Sequence, residues 1–162
     1  MNIKFNFEPT DTDYEILKIS EQFLLDTLKD KKDLYKLNMN LISRKKIRFE
    51  FHPATLYFKN NPYRFKLFFS KDMLTVEFWE LFNWFKDYPY LQSNKSDFNI
   101  QLYVFLHEFS HLAILLNDEA LKEQIRLSPK DGQVLLSDTH EQQEKDANTL
   151  ASKWFISHCI KV

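Results

Sequence analysis

The spacing of apolar residues changes from a helical period to a two-residue period and back again, which restricts this chain to a fold of helix, then strands, then helices. Thr12 followed by Glu15 has the spacing of a capping box, and Ile16, Ile19, Phe23 and Leu28 recur near helical spacing behind it. Tyr35, Leu37, Met39 and Leu41 then alternate with polar residues, as do Ile47, Phe49 and Phe51. A less regular alternation runs through Leu56, Phe58, Phe65, Leu67 and Phe69, with turn chemistry at His52-Pro53 and at Asn60-Asn61-Pro62. These signals predict a small antiparallel sheet.

The helical period returns after Ser70. Leu74, Phe78, Leu81, Phe82 and Phe85 make one apolar stripe, which Pro89 ends. Phe98, Leu102, Phe105, Phe109, Leu112 and Leu116 make a second, which predicts a helix from about Asp97 to Leu116. Ser128-Pro129 and Asp131-Gly132 mark a loop, and a capping box at Thr139 and Gln142 opens a last helix that continues to about His158. No linker, repeat or low-complexity tract divides the chain, so residues 1–162 read as a single α+β domain. A chain of this length buries roughly 70% of its unfolded surface and folds without staples.

Composition narrows the chemistry. The single glycine, Gly132, removes the Gly-rich loops that cradle phosphates, and 16 Phe, 7 Tyr and 3 Trp make the core aromatic. One cysteine, Cys159, forms no internal disulfide and has no recognisable His-Asp partners, so it is assigned no chemistry. The opening MNIKFNFEPTD lacks the pattern of a signal peptide, and apolar runs such as Leu112 to Leu116 are too short to span a bilayer. The expectation is a cytoplasmic protein without membrane partners. Net charge is −4 over residues 1–30, +9 over residues 31–71 and −6 over residues 72–162, so the strand-rich block is the basic one.

Inside the second stripe stands His107-Glu108-Phe109-Ser110-His111. Histidines four apart on a helix lie on one face, where their ring nitrogens converge on one ion, and the intervening glutamate is offset toward a water: the H-E-x-x-H pattern of zinc peptidases. With 5 His and 11 Glu in the chain, chance alone produces this pattern with a probability of roughly 1%. Flanking Val104-Phe105-Leu106 and Leu112-Ala113-Ile114 bury the helix, so its polar residues need partners.

Catalytic zinc usually takes three protein ligands and keeps one position for water. Leu112 to Asn117 offers no third ligand. The next cluster is on the last helix, where Glu144, Ala147, Asn148 and Ala151 share a face whose small residues permit close packing. Glu144 is the best-placed ligand there, and Asn148 is placed to steady a histidine or the carboxylate. Asp146, on nearly the opposite side of the helix, is the runner-up, and His140 reads as a first-turn surface residue.

His107-Glu108-Phe109-Ser110-His111 followed by Glu144-Lys145-Asp146-Ala147-Asn148-Thr149-Leu150-Ala151 resembles the ImmA/IrrE metallopeptidases, over roughly residues 97 to 156. The resemblance implies a minimal zincin-like fold: a small sheet with an N-terminal helix, an edge strand over the cleft, a metal-binding helix and a C-terminal helix giving the third ligand. It implies Zn2+ held by His107, His111 and Glu144, with Glu108 as general base. It implies an endopeptidase acting on a protein or peptide substrate, such as a regulatory or repressor protein of a bacterial, phage or mobile-element system. The family commonly has glycine where Ser110 stands, and a Leu-Met-Pro-like segment where this chain reads Ile156-Ser157-His158.

A second oxyanion donor is expected from His140, His158 or a tyrosine, and the strand from Tyr63 to Ser70 is expected to hold substrate along its edge. Two rival readings differ in class. One is a non-catalytic protein-binding regulator on the same scaffold, against which the intact Glu108 argues. The other, less favoured, is nucleic-acid binding by a basic strand face, where Lys46 and Arg48 alternate with Ile47 and Phe49, and Arg64 and Lys66 with Phe65 and Leu67, until Phe68 breaks the pattern. Phe78, Trp79 and Trp84 read as core or groove wall.

Overall fold

The computed structural model describes residues 1–43, 54–59, 61–81, 88–127 and 140–161. Its elements are β1 (Asn2–Phe5), α1 (Asp11–Thr27), α2 (Asp33–Lys36), β2 (Asn38–Ser43), β3 (Ala54–Lys59), β4 (Asn61–Phe69), a 3-10 turn (Lys71–Met73), α3 (Val76–Leu81), α4 (Pro89–Ser93), α5 (Asp97–Leu116), α6 (Glu119–Leu127) and α7 (His140–Lys161). The class is α+β. The signals at Lys46, Ile47, Arg48, Phe49, Phe51, His52-Pro53, Asn60, Phe82, Trp84, Phe85, Ser128-Pro129, Asp131-Gly132 and Thr139 lie outside the described residues.

The sheet is mixed, which corrects the antiparallel expectation. Its order is β1-β2-β4-β3; β1 with β2 and β2 with β4 run parallel, and only β3 with β4 is antiparallel. Alternation fixes which side chains share a face and says nothing about strand direction. Direction follows from the connections: the 17 residues of α1 carry the chain back between β1 and β2, the crossover that parallel neighbours require. β3 and β4, separated by position 60 alone, fold back on each other as a hairpin. Because β3 takes the outer position, β4 is an interior strand bonded on both sides. The edge expected at Tyr63 to Ser70 is therefore closed, and β3 is the edge strand on that side among the described residues.

One face of the sheet builds the core. Met39, Leu41, Leu56, Phe65, Leu67 and Phe69 are buried on it, and α1 and α5 pack together beside them. Phe69 meets Phe105 of α5 edge-on at 5.4 Å, and Phe23 of α1 stacks on Trp154 of α7 at 5.6 Å. Tyr35, read as the start of a strand, is instead in α2 and 79% exposed, while Leu81 of the expected apolar stripe is 75% exposed. On α3 it is Phe78 and Trp79 that turn inward.

The first capping box is two residues earlier than its expected register. Thr10 is the N-cap: its hydroxyl accepts from Asp13 N at 3.2 Å and its own N–H donates to Asp13 Oδ2 at 2.8 Å. α5 spans the expected residues, with Ser96 Oγ accepting from Asn99 N at 3.0 Å. Thirteen of its twenty side chains are buried, so it is a central helix with neighbours on several sides. No helix among the described residues is long and apolar enough to cross a membrane.

Candidate metal centre

The contact between α5 and α7 decides which polar side chains meet. On α7, Ala147, Ala151 and Phe155 are fully buried; two alanines one turn apart let the helix backbones approach closely. Glu144 and Asn148 lie on the same side of α7, since residues three and four apart share a face. On α5, Tyr103, His107 and His111 follow one another at four-residue spacing. Tyr103 Oη and Ser152 Oγ are 3.1 Å apart, which ties the two helices together one turn before His107.

These elements bring three predicted ligands to one point. His107 Nε2 lies 3.0 Å from Glu144 Oε2, and His111 Nε2 lies 3.1 Å from Glu144 Oε1. The two Nε2 atoms are 3.3 Å apart, with the rings nearly perpendicular at 89°. One ligand atom from each of the three residues falls within 4.8 Å of the others. The histidine side chains are 16% and 19% exposed and that of Glu144 is 40%, so the cluster is sheltered on the helix side and open on another.

If both Nε2 atoms carry hydrogen, each donates to its own oxygen of the Glu144 carboxylate, and two N–H groups are left facing each other at 3.3 Å. If either lacks hydrogen, its lone pair faces a carboxylate oxygen. A single cation accepts all three lone pairs at once. The 3.3 Å nitrogen separation also matches the edge of a zinc tetrahedron, roughly 3.3 Å for ligand bonds of about 2.0–2.1 Å. The residues therefore fit zinc.

The electrostatics couple the three groups. Burial is the largest single influence on His107 and disfavours its charged form, but the hydrogen bond to Glu144 and the charges of Glu108 and Glu144 outweigh it, so its pKa lies above 6.5. Asn148 pulls the same way, although its Oδ1 and His107 Nδ1, both buried, fall short of hydrogen-bond geometry. The hydrogen bonds from His107 and His111 hold the Glu144 carboxyl well below 4.5, against the opposing effect of burial.

Glu108, the expected base, is 8% exposed and close enough to His107 for its charge to favour the imidazolium. Ser110 is fully buried, and its hydroxyl donates to Leu106 O at 2.7 Å; the extra polar atom is absorbed within the helix. Asp146 is exposed and accepts from Gln142 Nε2 at 2.8 Å, away from the histidines. His158 is fourteen residues beyond Glu144, about 21 Å along the helix axis, which removes it as an oxyanion donor. Tyr63 donates to Asp33 Oδ1 at 3.0 Å, and Tyr103 is committed to Ser152. The side chain of His140 lies outside the described residues. Sequence reasoning missed the Tyr103–Ser152 tie, although Tyr103 stands four residues before His107, on the helix face that the two histidines share.

No model of a known protein family, no curated protein and no solved structure matches this chain.

Proposed function

We propose that this chain is a zinc-dependent endopeptidase with His107, His111 and Glu144 as metal ligands and Glu108 as general base. The observation that carries the reading is the pair of imidazoles and a carboxylate converging within hydrogen-bond distance, with the two Nε2 atoms 3.3 Å apart, the edge length of a zinc tetrahedron. The H-E-x-x-H spacing, and the resemblance of residues 97 to 156 to the ImmA/IrrE metallopeptidases with their zincin-like fold, support it.

Zinc bound there supplies Lewis acidity, polarising a peptide carbonyl and lowering the pKa of water toward neutrality. Glu108, one position from His107 on α5, takes the proton of the attacking water on its carboxylate and returns it to the leaving amine. His107, His111 and Glu144 act as ligands only. A substrate segment in extended form fits along β3, which packs beside α5 and is the outer strand of the sheet on that side among the described residues. The intact Glu108 favours an enzyme over a binding scaffold, because a purely structural metal site has no need of a base.

Metal analysis and one variant test this. The purified chain should carry about one zinc per molecule, and His107→Ala/His111→Ala should carry none. Glu108→Gln keeps size and hydrogen bonding but removes the base, so zinc content and melting temperature should stay unchanged while hydrolysis of a cleavable protein falls roughly 10²–10⁴-fold. A Glu108→Gln chain that cleaves as fast as the parent would transfer the role to another group; a parent chain that takes up no zinc would end the reading.

A further inference from the structure

The sheet has a second face, turned away from the core, on which the described strands place no carboxylate. Strand register puts Asn2, Asn38 and Arg64 in one row across it and Lys4, Asn40, Lys66 and Tyr57 in the next. Asn2, Lys4, Asn38, Asn40 and Arg64 are exposed and Lys66 is partly so, and a shallow groove of about 300 Å³ runs across the two rows. Lys4, Arg64 and Lys66 enter none of the ion pairs of the described residues, whereas Lys71, Lys95, Lys122 and Arg126 each find a carboxylate. The β2, β3 and β4 residues of this face belong to the block of the sequence with net charge +9, whereas Asn2 and Lys4 come from the acidic block before it. Among the described residues, cations are thus concentrated on one exposed surface outside any ion pair.

We propose that this face binds single-stranded nucleic acid. Lys4, Arg64 and Lys66 pair with phosphates, and Arg64 and Lys66, two residues apart on one strand, meet successive positions of a backbone laid across the sheet. The asparagine amides between them each offer a donor and an acceptor, the pattern that base edges require. Tyr57 meets Phe68 edge-on at 5.1 Å on the same face, an aromatic pair on which an unstacked base can lie. A duplex is disfavoured, because among the described residues no element projects from this face into a groove, and paired bases cannot reach the rings. An acidic polypeptide would use the cations and leave the aromatic pair without a role.

The test is fluorescence anisotropy of a labelled mixed-sequence DNA strand of about twelve nucleotides, titrated with the full chain. Three phosphate contacts give a slope near −2 for log affinity against log salt, so raising salt from about 50 to about 200 mM should weaken binding roughly twentyfold. Arg64→Glu/Lys66→Glu should lose more than tenfold at low salt with an unchanged melting temperature. Lys4→Glu, on a different strand, gives the same reading should that pair of changes unfold the chain. Tyr57→Ala should weaken binding roughly tenfold without altering the salt slope. His107→Ala/His111→Ala should bind like the parent, since α5 packs on the other side of the sheet. No binding at low salt, binding indifferent to both sets of charge reversals, a duplex bound more tightly than the strand, or polyglutamate displacing the strand at equal charge concentration would each overturn the proposal; the last would assign the face to an acidic protein segment.

Discussion

Two acidic residues stand two positions apart on α7, and helix geometry lets only one of them serve the histidines. Successive residues turn by about 100°, so Glu144 and Asp146 differ by about 200° around the axis. Glu144 faces His107 and His111, whereas Asp146 is exposed and bonded to Gln142. Glu144→Ala should therefore weaken zinc affinity strongly, and Asp146→Ala should leave it nearly intact; competition against a chromophoric chelator measures both, and the reverse order would overturn the ligand set. The pH dependence has a definite sign. In the metal-free protein His107 has a raised pKa, because the Glu144 hydrogen bond and nearby carboxylates outweigh burial, so its contribution to stability is full below 6.5 and is lost as pH rises through the raised value. Zinc uptake runs the other way, since the metal displaces that proton. Glu144, held well below 4.5, stays ionised near neutral pH, so affinity should fall as pH drops from above to below the raised value of His107. Affinity that stays flat across that range would remove His107 from the ligand set. These residues were legible because four-residue spacing maps directly onto a helix face. Asn148 is legible in the same way as a residue beside a histidine or the carboxylate, and the packed helices decide that the histidine is His107.

The elements were legible where local chemistry alone decides them. α5 has a Ser96 cap and an unbroken apolar stripe, and its ends match the expected Asp97 and Leu116. Thr10 with Asp13 and Thr12 with Glu15 both have capping spacing, and the sequence alone does not choose between them. Apolar spacing does not mark α6, because Lys122 occupies a buried position in it beside Ile125. Strand direction depends on what lies between strands, so the parallel pairs were invisible to alternation. The contact between α5 and α7 yields a prediction at this scale. Ala147 is fully buried there, and Ala147→Leu forces in extra volume at a cost of about 1–3 kcal/mol, or roughly 2–10 °C in melting temperature. Because the strain pushes α7 away from α5, zinc affinity should fall as well. Lys145→Leu, on the exposed side of α7, should change neither by much. Stability and zinc affinity that fail to fall together would show that the metal residues do not depend on this packing.

Across the whole molecule, a buried polar network joins α2, α6 and β4 in addition to the apolar core they share. Lys122 of α6 lies 3.0 Å from Asp33 Oδ2 of α2, and Tyr63 of β4 donates to Asp33 Oδ1 at 3.0 Å. Both charged side chains are almost completely buried, at 5% and 3% exposure. Burial works against the charge on Lys122, but the bonds to Asp33 and Glu119 outweigh it and raise its pKa above 10.5. Its contribution to stability is therefore full below 10.5 and is lost only as pH climbs through the raised value, so the network is intact at neutral pH. Removing one partner strands the other: Lys122→Met leaves the Asp33 carboxylate in the interior with its main cation gone and should cost roughly 3–5 kcal/mol in urea unfolding. Asp33→Asn/Lys122→Met removes both charges while keeping an amide for Tyr63, and should recover much of that loss, because the penalty comes from the unpaired charge rather than from the missing attraction. The cycle of the parent, both single variants and the double isolates the coupling. A double variant as unstable as Lys122→Met would mean that the network holds α6 by its packing alone.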